Sequence, residues 1–207
     1  MYNVPHFKAS EQKDVMDFMR AHPFVVLCGA DANGKPLATH VPVLFEERDG
    51  KLFLLAHVMK KQAHTEAFAT NQQVLAIFHG AHAYVSASWY EDKQVASTWN
   101  YQAVHASGSL KFLNEDELLA ILTRLTAYFE NNPHSPALVQ NMDPDYVRKM
   151  MQAIIAFEIE VGTVEHIFKL SQNRDAKSYD NIVDHLSSGE PAEQAIAAEM
   201  RKSNTNL

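Results

Sequence analysis

Residues 24–58 read FVVLCGADANGKPLATHVPVLFEERDGKLFLLAHV, and this stretch decides the fold. It contains three apolar runs, at residues 24–30, 37–45 and 51–58, rich in the β-branched and aromatic side chains that favour strands. Turn-forming residues separate the runs, at 31–36 and at 48–50. Strands joined by such short turns usually pair as antiparallel neighbours, so we predict a three-stranded meander over residues 24–58.

The rest of the chain alternates between strands and inserted helices. Apolar runs predict short strands on both sides of Gly80, and alternating patterns predict long strands at residues 99–112 and 154–168. Helical spacing predicts helices at residues 11–22, 60–70, 114–130, 144–152, 178–186 and 191–201. We therefore predict a mainly β chain with inserted helices (α+β), in which six or seven mostly antiparallel strands close into a small barrel. Closure would protect the strand edges.

The domain organisation follows from this pattern. We expect one barrel domain over residues 1–188, with a helical insertion around residues 114–152. A C-terminal helix and tail would follow over residues 189–207.

Composition excludes several classes of protein. With 46% hydrophobic residues among 207, the chain can bury enough apolar surface to fold, which excludes a disordered chain. A net charge of −7 disfavours broad contact with nucleic acid. The single cysteine, Cys28, excludes a disulfide framework and indicates a reducing, cytoplasmic location. No apolar run approaches the roughly 20 residues that span a bilayer, so we expect no membrane partner.

The motifs of common catalytic and metal sites are missing. The 11 histidines include no HExxH pair, so we assign no metal site, although a haem ligand among them stays open as an alternative. With only 7 glycines there is no phosphate-binding glycine loop, and no nucleophile elbow marks a catalytic serine. Catalytic residues are unassigned. Any cofactor phosphate must be held by side chains.

Three polar clusters are candidates for binding. Lys60-Lys61-Gln62 begins a predicted helix, where free N–H groups and the helix dipole favour phosphate; the alternative is a solvated lysine pair. Trp99-Asn100-Tyr101 begins a strand and suits stacking on a ring, or else simple packing. Residues 169–174, Lys-Leu-Ser-Gln-Asn-Arg, group several donors beyond a strand end, or form an ordinary polar loop.

Together these segments resemble the PaiB family of FMN-binding negative transcriptional regulators. The resemblance covers nearly the whole chain, up to the helix around Leu186. It rests on motifs that occur in the family's order: Ala38-Thr39-His40-Val41-Pro42, His57, Tyr84-Val85-Ser86-Ala87-Ser88-Trp89-Tyr90, Thr98-Trp99-Asn100-Tyr101, Val104-His105, Gly108 and Lys169-Leu170-Ser171-Gln172-Asn173.

The resemblance implies an antiparallel split β-barrel of the pyridoxamine-phosphate-oxidase-like, FMN-binding type. It also implies a homodimer with FMN in two interface grooves. Thr39 and His40 would lie along the flavin, and Lys60, Lys61 and Gln62 would hold its phosphate and ribityl end. The other cofactor-binding residues that it implies are His57, Trp99, Asn100, Tyr101, Lys169, Ser171, Gln172 and Asn173. Trp89, Tyr90, Trp99 and Tyr101 would face the flavin or the subunit interface.

The function implied is that of an FMN-binding flavoprotein with a role in transcriptional regulation. Two alternatives stay open: a haem-binding or haem-degrading split barrel, and a flavin-dependent oxidoreductase acting on a small molecule. The sequence contains no evident helix-turn-helix with a basic recognition helix, so we do not expect direct contact with DNA.

Overall fold

The structure is a computed structural model that describes residues 1, 4–9 and 11–204. Its strands are β1 (Phe24–Ala30), β2 (Pro36–Pro42), β3 (Leu44–Arg48), β4 (Lys51–Met59), β5 (Gln73–Val85), β6 (Thr98–Phe112) and β7 (Ile154–Lys169). Its α-helices are α1 (Gln12–Ala21), α2 (Ala63–Thr70), α3 (Glu115–Glu130), α4 (Pro144–Met151), α5 (Ala176–Ser187) and α6 (Pro191–Asn204). The strands form one sheet in the order β2-β1-β5-β6-β7-β4-β3.

The predicted meander over residues 24–58 is wrong. The run at residues 37–45 divides at Val43 into two strands, β2 and β3. β2 pairs antiparallel with β1, and β3 pairs antiparallel with β4 at the opposite end of the sheet. The physical reason lies at the break: Pro42 has no N–H to donate, and the Val43 N–H donates to the Pro23 carbonyl at 2.8 Å instead of to a strand partner.

This break shows how the sheet closes. β2 and β3 are the two edge strands, yet only Val43 separates them along the chain. Consecutive Cα atoms are about 3.8 Å apart, so the two edges must come close together at this point. β2 accordingly lies against β4 although the two strands are not neighbours in the sheet order. The sheet is curled into a barrel that stays split between these edges.

β5 also differs from the prediction. The two short strands expected around Gly80 are one continuous strand. A Cβ atom at Gly80 would lie 2.9 Å from the Phe18 ring, so glycine lets this side chain approach the strand closely.

The chain divides into two compact units. Unit 1 comprises residues 1–22, 79–105 and 165–207, and unit 2 comprises residues 23–78 and 106–164. Strands β5, β6 and β7 contribute residues to both. The core of unit 1 contains Tyr179, Ile182, Ile196 and Met200 from α5 and α6. In unit 2, Leu118, Ile121 and Leu125 of α3 pack against Leu44, Phe53 and Leu55.

Two further predictions concern the C-terminal domain boundary and membrane-spanning helices. The boundary placed after residue 188 stays a prediction, with α6 packed against α5 in unit 1. Over residues 1, 4–9 and 11–204, each helix is too short or too polar to cross a membrane.

Candidate functional site

The thirteen residues predicted to bind a cofactor fall into two groups. Unit 2 holds Thr39, His40, His57, Lys60, Lys61 and Gln62, and unit 1 holds Trp99, Asn100, Tyr101, Lys169, Ser171, Gln172 and Asn173. Each group is assembled from segments distant in sequence.

In unit 2, β2 presents two of these side chains. Thr39 is half-buried and His40 is exposed. The His40 ring lies 6.0 Å from the Phe24 ring at an interplanar angle of 27°. The edge strand β2 therefore carries a hydroxyl, at Thr39, and a ring, at His40, that lies nearly parallel to the Phe24 ring of β1.

His57 on β4 carries an unsatisfied polar atom. Within the described part of the chain, its Nδ1 atom is buried and has no hydrogen-bond partner. Burial lowers the pKa of its imidazole, which favours the neutral ring. A buried polar atom without a partner costs about 1–3 kcal/mol, and a bound group that hydrogen-bonds it would recover this free energy. His57 thus fits a site that a ligand completes.

Lys60, Lys61 and Gln62 connect β4 to α2. The Lys60 N–H donates to the Ala153 carbonyl at 2.9 Å, and the Thr65 hydroxyl donates to the Met59 carbonyl at 2.7 Å, so both ends of this connection are anchored. The Gln62 side chain makes no capping hydrogen bond to the first turn of α2.

The charges at this connection are open to a ligand. Lys60 is half-buried, Lys61 is exposed, and neither ammonium group has a carboxylate partner among the residues that the structure describes. The one acidic side chain in the first turn of α2 is Glu66. Two lysines and uncapped N–H groups at a helix start are chemistry that suits a phosphate. The donor set of unit 2 therefore fits a phosphorylated cofactor.

In unit 1, the start of β6 carries residues with opposite exposures. Trp99 is 50% exposed, and its ring lies 5.4 Å from the His82 ring and 6.0 Å from the Tyr84 ring. Asn100 is fully buried; it accepts a hydrogen bond from the Ser171 hydroxyl at 3.0 Å, and its amide contacts the Met200 sulfur at 3.4 Å. Trp99 faces outward, whereas Asn100 joins β6 to the segment after β7.

The segment after β7 folds back on itself. Ser171 is buried and adopts a left-handed backbone conformation, with φ of 64°. The Gln172 side chain accepts from the Leu170 N–H at 2.8 Å and donates to the Phe168 carbonyl, and Asn173 is exposed. Lys169 donates to the Thr98 hydroxyl. Its pKa is lowered by burial and by the nearby Arg174 charge.

One expectation for the aromatic side chains changes. Tyr90 was expected to face the flavin or the interface, but its side chain is only 1% exposed and packs in the core of unit 1, so its ring does not form an exposed face for either. Arg174 lies over its ring, 4.1 Å from the centroid. Trp89 is half-buried and stacks on His185 at 4.8 Å. Sequence reasoning missed the pairing of Arg174 with Tyr90, because no local pattern links two residues so far apart in the chain.

Comparison with known proteins agrees with this donor chemistry. Residues 1–163 match the family model described as "Putative FMN-binding domain". Over 200 residues the chain is 32% identical to the protein named Protease synthase and sporulation protein PAI 2 of Bacillus subtilis, a match covering 97% of this chain and 96% of that protein.

Solved structures share the fold at low sequence identity. The flavocytochrome Anf3 from Azotobacter vinelandii matches with a TM-score of 0.61 at 15% identity, covering 87% of this chain and 78% of the other. The FAD and haem binding protein from Mycobacterium smegmatis matches with a TM-score of 0.60 at 17% identity, covering 88% and 80%. At this identity the likeness concerns the fold alone. The prediction of an antiparallel split barrel with inserted helices is confirmed.

Proposed function

The chain belongs to the family of FMN-binding domains whose model matches residues 1–163, and we propose from this premise that it is a cytoplasmic flavoprotein that binds FMN as a homodimer. The near full-length likeness to PAI 2 confirms the resemblance to the PaiB family. The proposal adds what the family match leaves open: the residues that bind FMN, the subunit arrangement and the regulatory role.

One observation carries the assignment of FMN to unit 2. His57, whose Nδ1 atom has no partner, precedes Lys60 by three residues and Lys61 by four, and the charges of these lysines have no carboxylate partner within the described residues. We assign the FMN phosphate to Lys60, Lys61 and the N-terminal turn of α2, and the ribityl chain to Gln62. His57, Thr39 and His40 would then hydrogen-bond or pack along the flavin.

The residues of unit 1 have two kinds of role in this proposal. Trp99 is exposed, and together with Tyr101 and Asn173 it would contact the flavin bound by the partner subunit. Asn100 and Ser171 are buried against each other, so they would act by holding the ends of β6 and β7 in position. Gln172 would do the same through its two bonds to the loop backbone.

The chemistry would be divided between cofactor and chain. When bound, FMN supplies electron and hydride transfer. The chain's own residues bind the phosphate, orient the ring system and present a neutral imidazole at His57. The sequence motifs include no compelling acid–base pair, so they identify no substrate.

A titration with FMN and with riboflavin tests the phosphate assignment. Charged hydrogen bonds contribute about 1.5–3 kcal/mol, so the double variant Lys60→Met/Lys61→Met should bind FMN about tenfold to a hundredfold more weakly, as followed by quenching of flavin fluorescence. Riboflavin lacks the phosphate, and its affinity should not change. Lys35→Met, at an exposed lysine in the β1–β2 turn, is the control for charge. Failure of the wild type to bind FMN would refute the proposed function.

Light scattering after size-exclusion chromatography tests the homodimer. We expect a mass of twice the 23.3 kDa chain at micromolar concentration, with and without FMN. A mass equal to one chain under both conditions would contradict the proposed subunit arrangement.

The regulatory role that the resemblance implies would be indirect. A net charge of −7 repels the phosphate backbone, so we propose that any effect on transcription passes through a partner protein or the state of the flavin. A gel-shift titration at low salt tests this, because low salt favours even weak contacts with DNA. Saturable retardation of DNA by the purified protein would disprove an indirect role.

A further inference from the structure

Two basic side chains of unit 1 are half-buried without a counter-charge. Lys169 ends β7, and Arg174 lies just before α5. In the part of the chain that the structure describes, neither forms an ion pair. Lys169 contacts the Thr98 hydroxyl, and Arg174 lies over the Tyr90 ring. Partial removal of a cation from water costs free energy, which an opposite charge on a bound ligand would recover.

The nearby acidic groups are already engaged. The Asp175 carboxylate caps α5 by accepting the Ser178 N–H at 2.9 Å. Glu91 pairs with Lys177 at 3.1 Å. A further cation, Lys93, donates to the Tyr90 carbonyl. Neither of these carboxylates forms an ion pair with Lys169 or Arg174.

Tyr90 supplies a second and independent observation. Its side chain is 1% exposed, and its hydroxyl has no hydrogen-bond partner among the described residues. Tyrosine hydroxyls usually find a partner when they are buried, so this one is a donor that a bound group can use. The same ring already contacts the Arg174 guanidinium.

The loop between the two cations holds them in place. The Arg174 N–H donates to the Ser171 carbonyl at 3.0 Å, and the Ser171 hydroxyl is tied to the buried Asn100. Gln172 bonds to the backbone on the Lys169 side of the loop. The backbone that carries both side chains is thus held by hydrogen bonds before any ligand binds, which lowers the entropic cost of binding.

We propose that Lys169, Arg174 and the Tyr90 hydroxyl form an oxyanion-binding site for the carboxylate or phosphate group of a small molecule. Guanidinium groups bind both anions in bidentate fashion, and the lysine adds a second charge. This site is additional to the FMN phosphate site proposed on Lys60 and Lys61, and it takes Lys169 out of the FMN contacts. It does not require that FMN is bound.

Intrinsic fluorescence offers a direct test, because Trp89 adjoins Tyr90 and Trp99 adjoins Thr98 in sequence. The probes are inorganic phosphate and succinate, each titrated at constant ionic strength against sodium chloride. We expect a saturable change with at least one probe. The better probe identifies the class of anion. Sodium chloride alone giving the same change, or no saturation with either probe, would overturn the proposal.

Variants locate the binding group. Lys169→Met and Arg174→Gln should each weaken binding of the better probe by about tenfold or more. Lys177→Met, which removes an exposed lysine paired with Glu91, is the matched control and should bind as the wild type does. Unchanged binding in both site variants would refute the site.

The Tyr90→Phe variant separates binding from folding. It removes only the hydroxyl, and because that hydroxyl has no partner among the described residues, the melting temperature should stay the same or rise. Binding of the anion should nevertheless weaken severalfold. A lowered melting temperature with unchanged binding would assign the hydroxyl to the fold and contradict its place in the site.

FMN titrations of the same variants distinguish this site from the cofactor site. Lys169→Met and Arg174→Gln should bind FMN with wild-type affinity, whereas Lys60→Met/Lys61→Met should not. If the unit 1 variants lose FMN instead, the cations serve the FMN phosphate and the additional site is refuted, while FMN binding itself still stands.

Discussion

Two buried polar atoms lack a partner within residues 1, 4–9 and 11–204: His57 Nδ1 and the Tyr90 hydroxyl. Most buried polar groups in folded proteins are hydrogen-bonded, so each such atom calls for an explanation. His57 precedes Lys60 by three residues in the sequence, and neither Lys60 nor Lys61 has a carboxylate partner among the described residues; Tyr90 lies beneath Arg174, which also has none there. An orphan polar atom and an unpaired cation are the groups that an anionic ligand would satisfy.

His57 should make folding stability depend on pH. Burial lowers its pKa in the folded state, so as the pH falls below the ordinary value of 6.5 the unfolded chain takes up a proton first. The free energy of unfolding should therefore decrease with acid until the folded-state pKa is passed. Urea unfolding of His57→Gln between about pH 7.5 and about pH 5.5 should show a smaller decrease than the wild type.

The comparison needs a second histidine variant. Burial lowers the pKa values of His64, His79, His105 and His166 as well, so the wild-type dependence is a sum and only its reduction reports on His57. His134→Gln, at an exposed position, serves as control. Equal pH dependence in wild type and His57→Gln would disprove the assignment.

Gly108 on β6 should not tolerate a side chain. A Cβ atom there would overlap the Glu160 carbonyl oxygen and lie 2.8 Å from the Ile159 side chain. Overpacking against backbone costs about 1–3 kcal/mol, so Gly108→Ala should lower the free energy of unfolding by that amount in urea titrations. Gly162→Ala is the control, since its nearest contact would be the Ser107 carbonyl at 3.8 Å. Equal losses in the two variants would show that overlap with the Glu160 carbonyl oxygen is not the cause.

At the scale of elements, the connection through Val43 matters most. A strand pattern predicts which residues are extended, but it does not predict at which residue the chain changes its pairing partner. Pro42 stops the β1–β2 ladder, and Leu44 starts a ladder with Leu55 on β4. One residue thus carries the chain from one sheet edge to the other, which brings Thr39 and His40 into the same unit as His57 and Lys60.

Helix α3 depends on its N-cap. The Asn114 side chain accepts the Glu117 N–H at 3.0 Å, and the Glu117 carboxylate accepts the Asn114 N–H at 2.9 Å. Asn114→Ala should lower the free energy of unfolding by about 1 kcal/mol, measured by urea titration. Asn114→Ser keeps an acceptor and should stay close to the wild type. A large loss in both would mean that the asparagine serves something other than capping.

At the scale of the whole molecule, each compact unit has its own core. Unit 1 buries Ile196, Ala197 and Met200 of the last helix completely. The Met200 carbonyl accepts the Tyr179 hydroxyl at 2.6 Å, and the Met200 sulfur contacts the Asn100 amide. The C-terminal helix is therefore linked to the buried pair that positions the loop after β7.

Removal of this helix should damage unit 1. A chain truncated after Ser188 would expose the α5 face that α6 covers, and we expect it to aggregate or lose cooperative unfolding in calorimetry. Met200→Ala is the milder variant and should cost about 2–5 kcal/mol. Met150→Ala, at a methionine that is 42% exposed, should change stability by less than about 0.5 kcal/mol. A truncated chain that melts as the full chain does would instead support an independent domain over residues 1–188.

The sequence by itself determined most of the elements. β1 has the predicted bounds, and the helices at 114–130, 144–152 and 191–201 lie within one to three residues of α3, α4 and α6. The bounds of each of these elements depend on residues close by in the sequence, such as an apolar period, a cap or a proline. The residue types of the candidate site could also be found from the sequence, since its lysines, histidines and amides are grouped in short motifs. Their roles toward FMN stay predictions.

The tertiary structure decided which of these residues meet. It placed β2 and β3 at opposite edges, buried Asn100 against Ser171, and set Arg174 over a Tyr90 whose hydroxyl has no described partner. No local sequence pattern predicts these contacts, because each one joins segments that are far apart in the chain and meet only when it folds. Burial and charge pairing are properties of those non-local contacts, so only the folded chain reveals where a polar atom or a cation has been left for a ligand.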